Sequence, residues 1–238
     1  MEEKERDKRG ISAWYWTRLE KPLTDEQKNA LKMALAVGKK LDGRQGDIRL
    51  LAYAMRSYAL YKQYGLMPKQ RWQTTKQGRP YLPEYPEIDA NLSHSGCMAV
   101  CAVGRPFLGT DIQKTKAHIA RPLAQRVCTE EELRWLWEKE QTRRADAFTE
   151  IWALKESYLK WNGKGLGQSM RSFMAYECSP GQIQTSIQGV RFCLCTPIPG
   201  YKAALCAGTE PLPKIQQVSQ AQLLRFCAER AGNTGKIT

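Results

Sequence analysis

Histidine is scarce in this chain: His94 and His118 are the only two among 238 residues. That excludes metal chemistry built on several imidazoles. No apolar run approaches the roughly 18–20 residues that a membrane-crossing helix needs. The start, Met1-Glu2-Glu3-Lys4-Glu5-Arg6-Asp7, is charged and lacks the apolar stretch of a secretory signal. No membrane association is expected, and the cytoplasm is the expected compartment. Acidic residues are few as well: 24 stand against 37 Lys and Arg, for a formal net charge of +13. A surplus of that size selects for polyanionic partners without choosing among nucleic acid, phosphorylated small molecules and acidic proteins.

What is present excludes other classes. Hydrophobic residues make up 42% of the chain, with 7 Trp and 10 Tyr, so global disorder is ruled out. The length suits one large domain or two small ones. Eight cysteines would form a disulfide framework only in a short secreted protein. Here they are dispersed, and most lie in apolar stretches such as Met98-Ala99-Val100-Cys101-Ala102-Val103. Their closest spacings are Cys97-x3-Cys101 and Cys193-x-Cys195, neither the CxxC pair of a zinc site. Reduced, structural thiols are expected.

Patterning predicts helices over 24–40, 46–64, 117–141, 146–161 and 221–230. Strands are predicted at 98–103, 108–112, 172–178, 182–188, 190–196 and 201–207, with Asn91 to Gly96 read as a polar turn. Two stretches repeat. Gly96 to Gly104 matches Gly200 to Gly208, and Ala54 to Tyr58 with Gly65 matches Leu154 to Tyr158 with Gly165. A duplicated unit, a long helix followed by an antiparallel meander, accounts for both; chance similarity among common residues is the alternative. The duplication places a seam near residues 104–110, with lobes 1–106 and 107–238. A seam between lobes is a usual place for a ligand cleft.

Two segments beside that seam carry chemistry. Period-two alternation puts Asp111 and Gln113 on one face of a strand. Spacing of four puts Trp152, Glu156 and Lys160 on one face of a helix. A strand carboxylate and a helix carboxylate can together hold Mg²⁺, which takes oxygen ligands and borrows the rest from phosphates and water. Taken singly, each has a plainer reading: a Glu156–Lys160 surface pair and an Asp at a strand end.

Taken together they resemble a known family. Leu108-Gly109-Thr110-Asp111-Ile112 resembles the (I/V)G(I/V)D segment of 4′-phosphopantetheinyl transferases. Trp152-Ala153-Leu154-Lys155-Glu156-Ser157-Tyr158-Leu159-Lys160, followed by Gly163-Lys164-Gly165-Leu166, resembles their WxxKESxxK segment. Asn91 to Ser95 resembles the NxSHS segment of the Sfp-type members, and Gly78-Arg79-Pro80-Tyr81-Leu82-Pro83 their G(K/R)PxxP element. Four ordered matches are far more specific than one. The resemblance implies an α+β fold of two α/β sandwich lobes, related by a pseudo-twofold duplication of a helix plus an antiparallel sheet. It implies transfer of phosphopantetheine from coenzyme A to a serine of an acyl or peptidyl carrier protein, releasing 3′,5′-ADP.

The same resemblance assigns residues. Asp111, Gln113 and Glu156 fall at the metal ligands, for Mg²⁺ or Mn²⁺. Gln113 stands where close members carry Glu, offering a neutral oxygen. Lys155 and Lys160 fall at phosphate contacts, with Lys160 also at the reacting groups. His94 falls at the 3′-phosphate of coenzyme A with Ser93 beside it, and Arg79 near the nucleotide. Arg44, Arg49 and Arg56 fit a basic coenzyme A stretch loosely; a solvated helix face explains them equally. Glu132 falls where some members place a Glu that helps deprotonate the serine, Glu156 being the competing base. A first-turn interaction with the helix dipole also explains Glu130, Glu131 and Glu132. Residues between 112 and 150, with Leu123, Val127 and Leu133, would dock an acidic carrier protein, and a monomer is expected. A non-catalytic nucleic-acid-binding protein explains the charge but not Asp111 and Glu156 at family spacing. An inactive carrier-binding homologue is motivated by Gln113.

Overall fold

The computed structural model describes residues 11–38, 41–67, 71–105, 107–208 and 211–232. In chain order the elements are β1 (Ile11–Arg18), α1 (Asp25–Ala34), α2 (Gly43–Tyr64), β2 (Gln73–Thr74), β3 (Pro80–Tyr81), β4 (Asp89–Ser95), β5 (Met98–Gly104) and β6 (Leu108–Lys114). They continue with α3 (Arg121–Val127), α4 (Glu130–Glu138), α5 (Gln141–Asn162), β7 (Ala175–Ser179), β8 (Gln182–Thr185), β9 (Arg191–Cys195), β10 (Tyr201–Ala207), β11 (Ile215–Gln217) and α6 (Gln220–Gly232). Two compact units result, one within residues 1–106 and 213–238, the other within 107–212.

In the first unit the sheet order is β11-β1-β5-β4, antiparallel except for the parallel β11–β1 pair. Every residue of β5 is buried. Helix α2 lays Leu51, Ala54 and Met55 in the same core as Ala99, Cys101 and Val103 of β5. Thr24 opens α1 with a capping box closed by Gln27, and Gly65 ends α2 at φ +72°, a conformation that favours glycine. The tail after 212, expected in the second lobe, belongs to the first unit. There β11 runs beside β1, and Gln220 Oε1 accepts from the backbone N–H groups of Glu20 and Lys21.

In the second unit β10 lies between β6 and β9, antiparallel to both, and is buried along its whole length. Helix α5 packs on β6 and β10, and like α2 it is 22 residues long and ends on a left-handed glycine, here Gly163. Each unit therefore contains a long helix laid on a mainly antiparallel sheet with a fully buried inner strand, the α+β arrangement expected.

Three local readings change. The polar run Asn91 to Ser95 belongs to strand β4, because β5 supplies a complete ladder for it. The helix expected over 117–141 is broken into α3 and α4 at Cys128–Thr129, where Thr129 caps α4. Helix α1 ends at Ala34 rather than near 40. All eight cysteines are free thiols. Burial pushes those of Cys101, Cys128, Cys195 and Cys227 up to about 12.

Candidate active site

A missing side chain brings the site together. A Cβ on Gly109 would lie 2.1 Å from the carbonyl oxygen of Ser157 and 2.4 Å from the backbone N of Trp161. Only glycine lets α5 cross β6 this closely. Gly109, Asp111 and Gln113 alternate onto one face of β6, so the crossing brings Glu156 and Lys160 of α5 to Asp111.

Asp111 is 2% exposed. Lys160 Nζ donates to Asp111 Oδ1 at 2.6 Å and to the Thr110 carbonyl at 3.0 Å. Gln113 Nε2 donates to Asp111 Oδ2 at 2.9 Å. The Glu156 carboxylate is half-buried and makes no hydrogen bond among the described residues. Burial and the charge of Asp111 raise its pKa, against the opposing pull of Lys160. Two carboxylates near enough for Asp111 to raise the pKa of Glu156, with an amide beside them, form a hard oxygen donor set suited to Mg²⁺ or Mn²⁺. Among the described residues no group of three or more His, Cys, Asp and Glu could hold an ion, so an ion held by these two carboxylates would take most of its ligands from water or phosphate. Across the ladder Gln113 pairs with Lys202, whose ammonium is held by Asp146 at 2.8 Å and Glu150 at 2.7 Å.

The expected residues Arg79, Ser93, His94, Arg44, Arg49 and Arg56 belong to the first unit. Arg79 forms a charge-assisted hydrogen bond with Asp89. Ser93 and His94 are half-buried on β4, opposite Val100 and Ala99 of β5. Arg44 and Arg49 are exposed on α2. Arg56 lies over the Trp72 ring, 3.7 Å from its centroid, and its Nε is buried without a hydrogen-bond partner. Burial lowers its pKa to about 10. Its stacking on Trp72 joins residues far apart in the chain and has no local sequence signal.

Residues 107–206, all within the second unit, match the model of the 4′-phosphopantetheinyl transferase superfamily. The chain is 33% identical to the 4′-phosphopantetheinyl transferase Sfp of Bacillus subtilis (strain 168), over 75% of this chain and 80% of that protein. The chain belongs to this superfamily. It is also 27% identical to the 4′-phosphopantetheinyl transferase ffp of Bacillus subtilis, over 88% of this chain and 99% of that protein. A further Bacillus subtilis 4′-phosphopantetheinyl transferase is 33% identical over 63% of this chain and 68% of its own.

In this member of the phosphopantetheinyl transferases, Lys155, expected at a phosphate, and Glu132, expected to help deprotonate the serine, lie in the interior instead. Lys155 and Glu132 have no exposed side-chain surface, and Lys155 Nζ sits 2.6 Å from Glu132 Oε2. The ammonium also donates to the carbonyls of Val127, Met170 and Phe173. Burial lowers the Lys155 pKa while Glu132 holds it up. Glu132 accepts from the backbone N–H groups of Thr129 and Ala175, completing the α4 capping box and tying α4 to β7. Lys155 has no proton left for a phosphate, and Glu132 has no open oxygen for a serine hydroxyl. Of the apolar residues expected to seat a carrier protein, Val127 is a core residue, while Leu123 and Leu133 are partly exposed.

Proposed function

We propose that this protein transfers the 4′-phosphopantetheine group of coenzyme A to a serine hydroxyl of an acidic acyl or peptidyl carrier protein, releasing 3′,5′-ADP. The observation that carries the reading is the joining of Asp111, Glu156 and Lys160 by the Gly109 crossing, in the segment that matches the superfamily. In the reaction the serine oxygen bonds to the β-phosphorus and the bridging P–O bond to 3′,5′-ADP breaks. Asp111 and Glu156, with Gln113 beside them, would hold Mg²⁺ or Mn²⁺. A bound divalent ion neutralises charge developing on the pyrophosphate oxygens.

This chain's own groups do the rest. Lys160, 26% exposed at its side chain, is the ammonium able to reach a phosphate. Asp111 is engaged on both oxygens and Glu132 is sealed, so Glu156 is the carboxylate left to accept the serine proton. Arg79, Ser93, His94, Arg44 and Arg49 are assigned to the nucleotide and phosphates of coenzyme A, and the net charge of +13 suits an acidic carrier protein. No helix among the described residues is long and apolar enough to cross a membrane.

The test is incubation with coenzyme A, Mg²⁺ and an apo carrier protein, followed by mass spectrometry of the carrier. A gain of one phosphopantetheine group on serine is the expected result. No gain across fatty-acid, polyketide and peptide carriers, with the protein folded, overturns the reading.

A further inference from the structure

Asp111 already has a cation on it. Lys160 Nζ is 2.6 Å from Oδ1, and Gln113 Nε2 holds Oδ2 at 2.9 Å. Counting Asp111, Glu156 and Lys160, the set carries one net negative charge. Gln113 adds none, and its cross-strand neighbour Lys202 is held by Asp146 and Glu150. A divalent ion arriving alone therefore meets one net negative charge from Asp111, Glu156 and Lys160 together and competes with an ammonium for Asp111 Oδ1. A pyrophosphate changes both conditions: it brings negative charge for the ion and an alternative partner for Lys160. Lysine suits such an exchange, being a compact charge on a flexible stem.

We propose that Lys160 and Gln113 make cation binding at Asp111 and Glu156 depend on the phosphates of coenzyme A. Lys160 serves as the counter-ion of Asp111 while phosphate is absent, and passes from Asp111 to phosphate when coenzyme A binds. The inference rests on the reading of this site given under Proposed function. Linkage then requires the ion to tighten coenzyme A by the same factor as coenzyme A tightens the ion.

The experiment titrates Mn²⁺ into the full chain without carrier protein, reading free Mn²⁺ by electron paramagnetic resonance, with and without coenzyme A. In the wild type, coenzyme A should tighten Mn²⁺ by about tenfold or more, within the usual range of coupling between sites. Lys160→Met should bind Mn²⁺ more tightly than wild type when coenzyme A is absent, and gain less when it is added. Gln113→Glu, which restores a carboxylate and keeps Lys160, should also tighten Mn²⁺ alone. Equal wild-type affinity with and without coenzyme A overturns the proposal, as does unchanged Mn²⁺ affinity in both variants. If Mn²⁺ and coenzyme A each bind independently, this inference fails and the transfer reading stands. If the folded protein binds neither, both fail.

Discussion

Lys155 Nζ lies 2.6 Å from Glu132 Oε2 with neither side chain exposed. Two charges taken out of water are costly, and removing one leaves the other uncompensated. Glu132→Gln or Lys155→Met should each destabilise the fold by about 3–5 kcal/mol, measured by denaturant unfolding. The double variant should lose less than the two single losses combined, because it leaves no lone buried charge. A direct catalytic role for Lys155 would instead lower turnover with unfolding unchanged.

Part of this was legible in the sequence and part was not. The Gly109–Asp111 strand and the Glu156–Lys160 helix are local patterns, and local patterns survive in one dimension. Whether Lys155 faces solvent depends on α3, the Met170–Phe173 turn and α4, which meet it from elsewhere in the chain. One signal was available: Phe148, Ile151 and Lys155 follow spacings of three and four, so Lys155 occupies an apolar stripe of α5. A lysine in such a stripe needs a buried acid. The β11–β1 pairing, between residues some 200 apart, leaves no local trace. The polar side chains of Asn91 to Ser95 suit a turn, while its strand character comes from the β5 ladder.

Gly109→Ala should be far more damaging than a single methyl suggests. The new Cβ meets backbone atoms of α5, which cannot rotate away as a side chain would. Overpacking of this kind costs about 1–3 kcal/mol. Relieving it moves Glu156 and Lys160 off Asp111, and a displacement of about 1 Å can cost roughly a hundredfold in rate. The expected result is a folded variant of lowered Tm with turnover reduced out of proportion to its stability. Wild-type turnover would refute the positioning role of this crossing.

Lys202 gives a stability prediction with a definite pH sign. Burial opposes its charge, but the Asp146 and Glu150 hydrogen bonds outweigh burial and raise its pKa above the ordinary 10.5. A folded-state pKa above the unfolded one gives stability that is fully present below pH 10.5 and lost as pH rises through the folded value. Lys202→Met should therefore be destabilised at neutral pH, and its deficit relative to wild type should shrink in strongly alkaline buffer. Thermal melts of both proteins across that range check it.

Glu156→Gln should separate stability from function. The folded state raises the Glu156 pKa through burial and through Asp111. An acid whose pKa is raised on folding makes the charged form a burden above that pKa, and stability recovers as pH falls through it toward the unfolded value. In chelator-treated protein the variant should thus melt higher than wild type at neutral pH, with the advantage disappearing as the buffer is acidified. Its transfer rate should fall by roughly 10²–10⁴, the usual contribution of a positioned acid–base group. A variant that melts lower at neutral pH and still transfers at the wild-type rate would mean that Glu156 neither bears the strain of this site nor moves the proton.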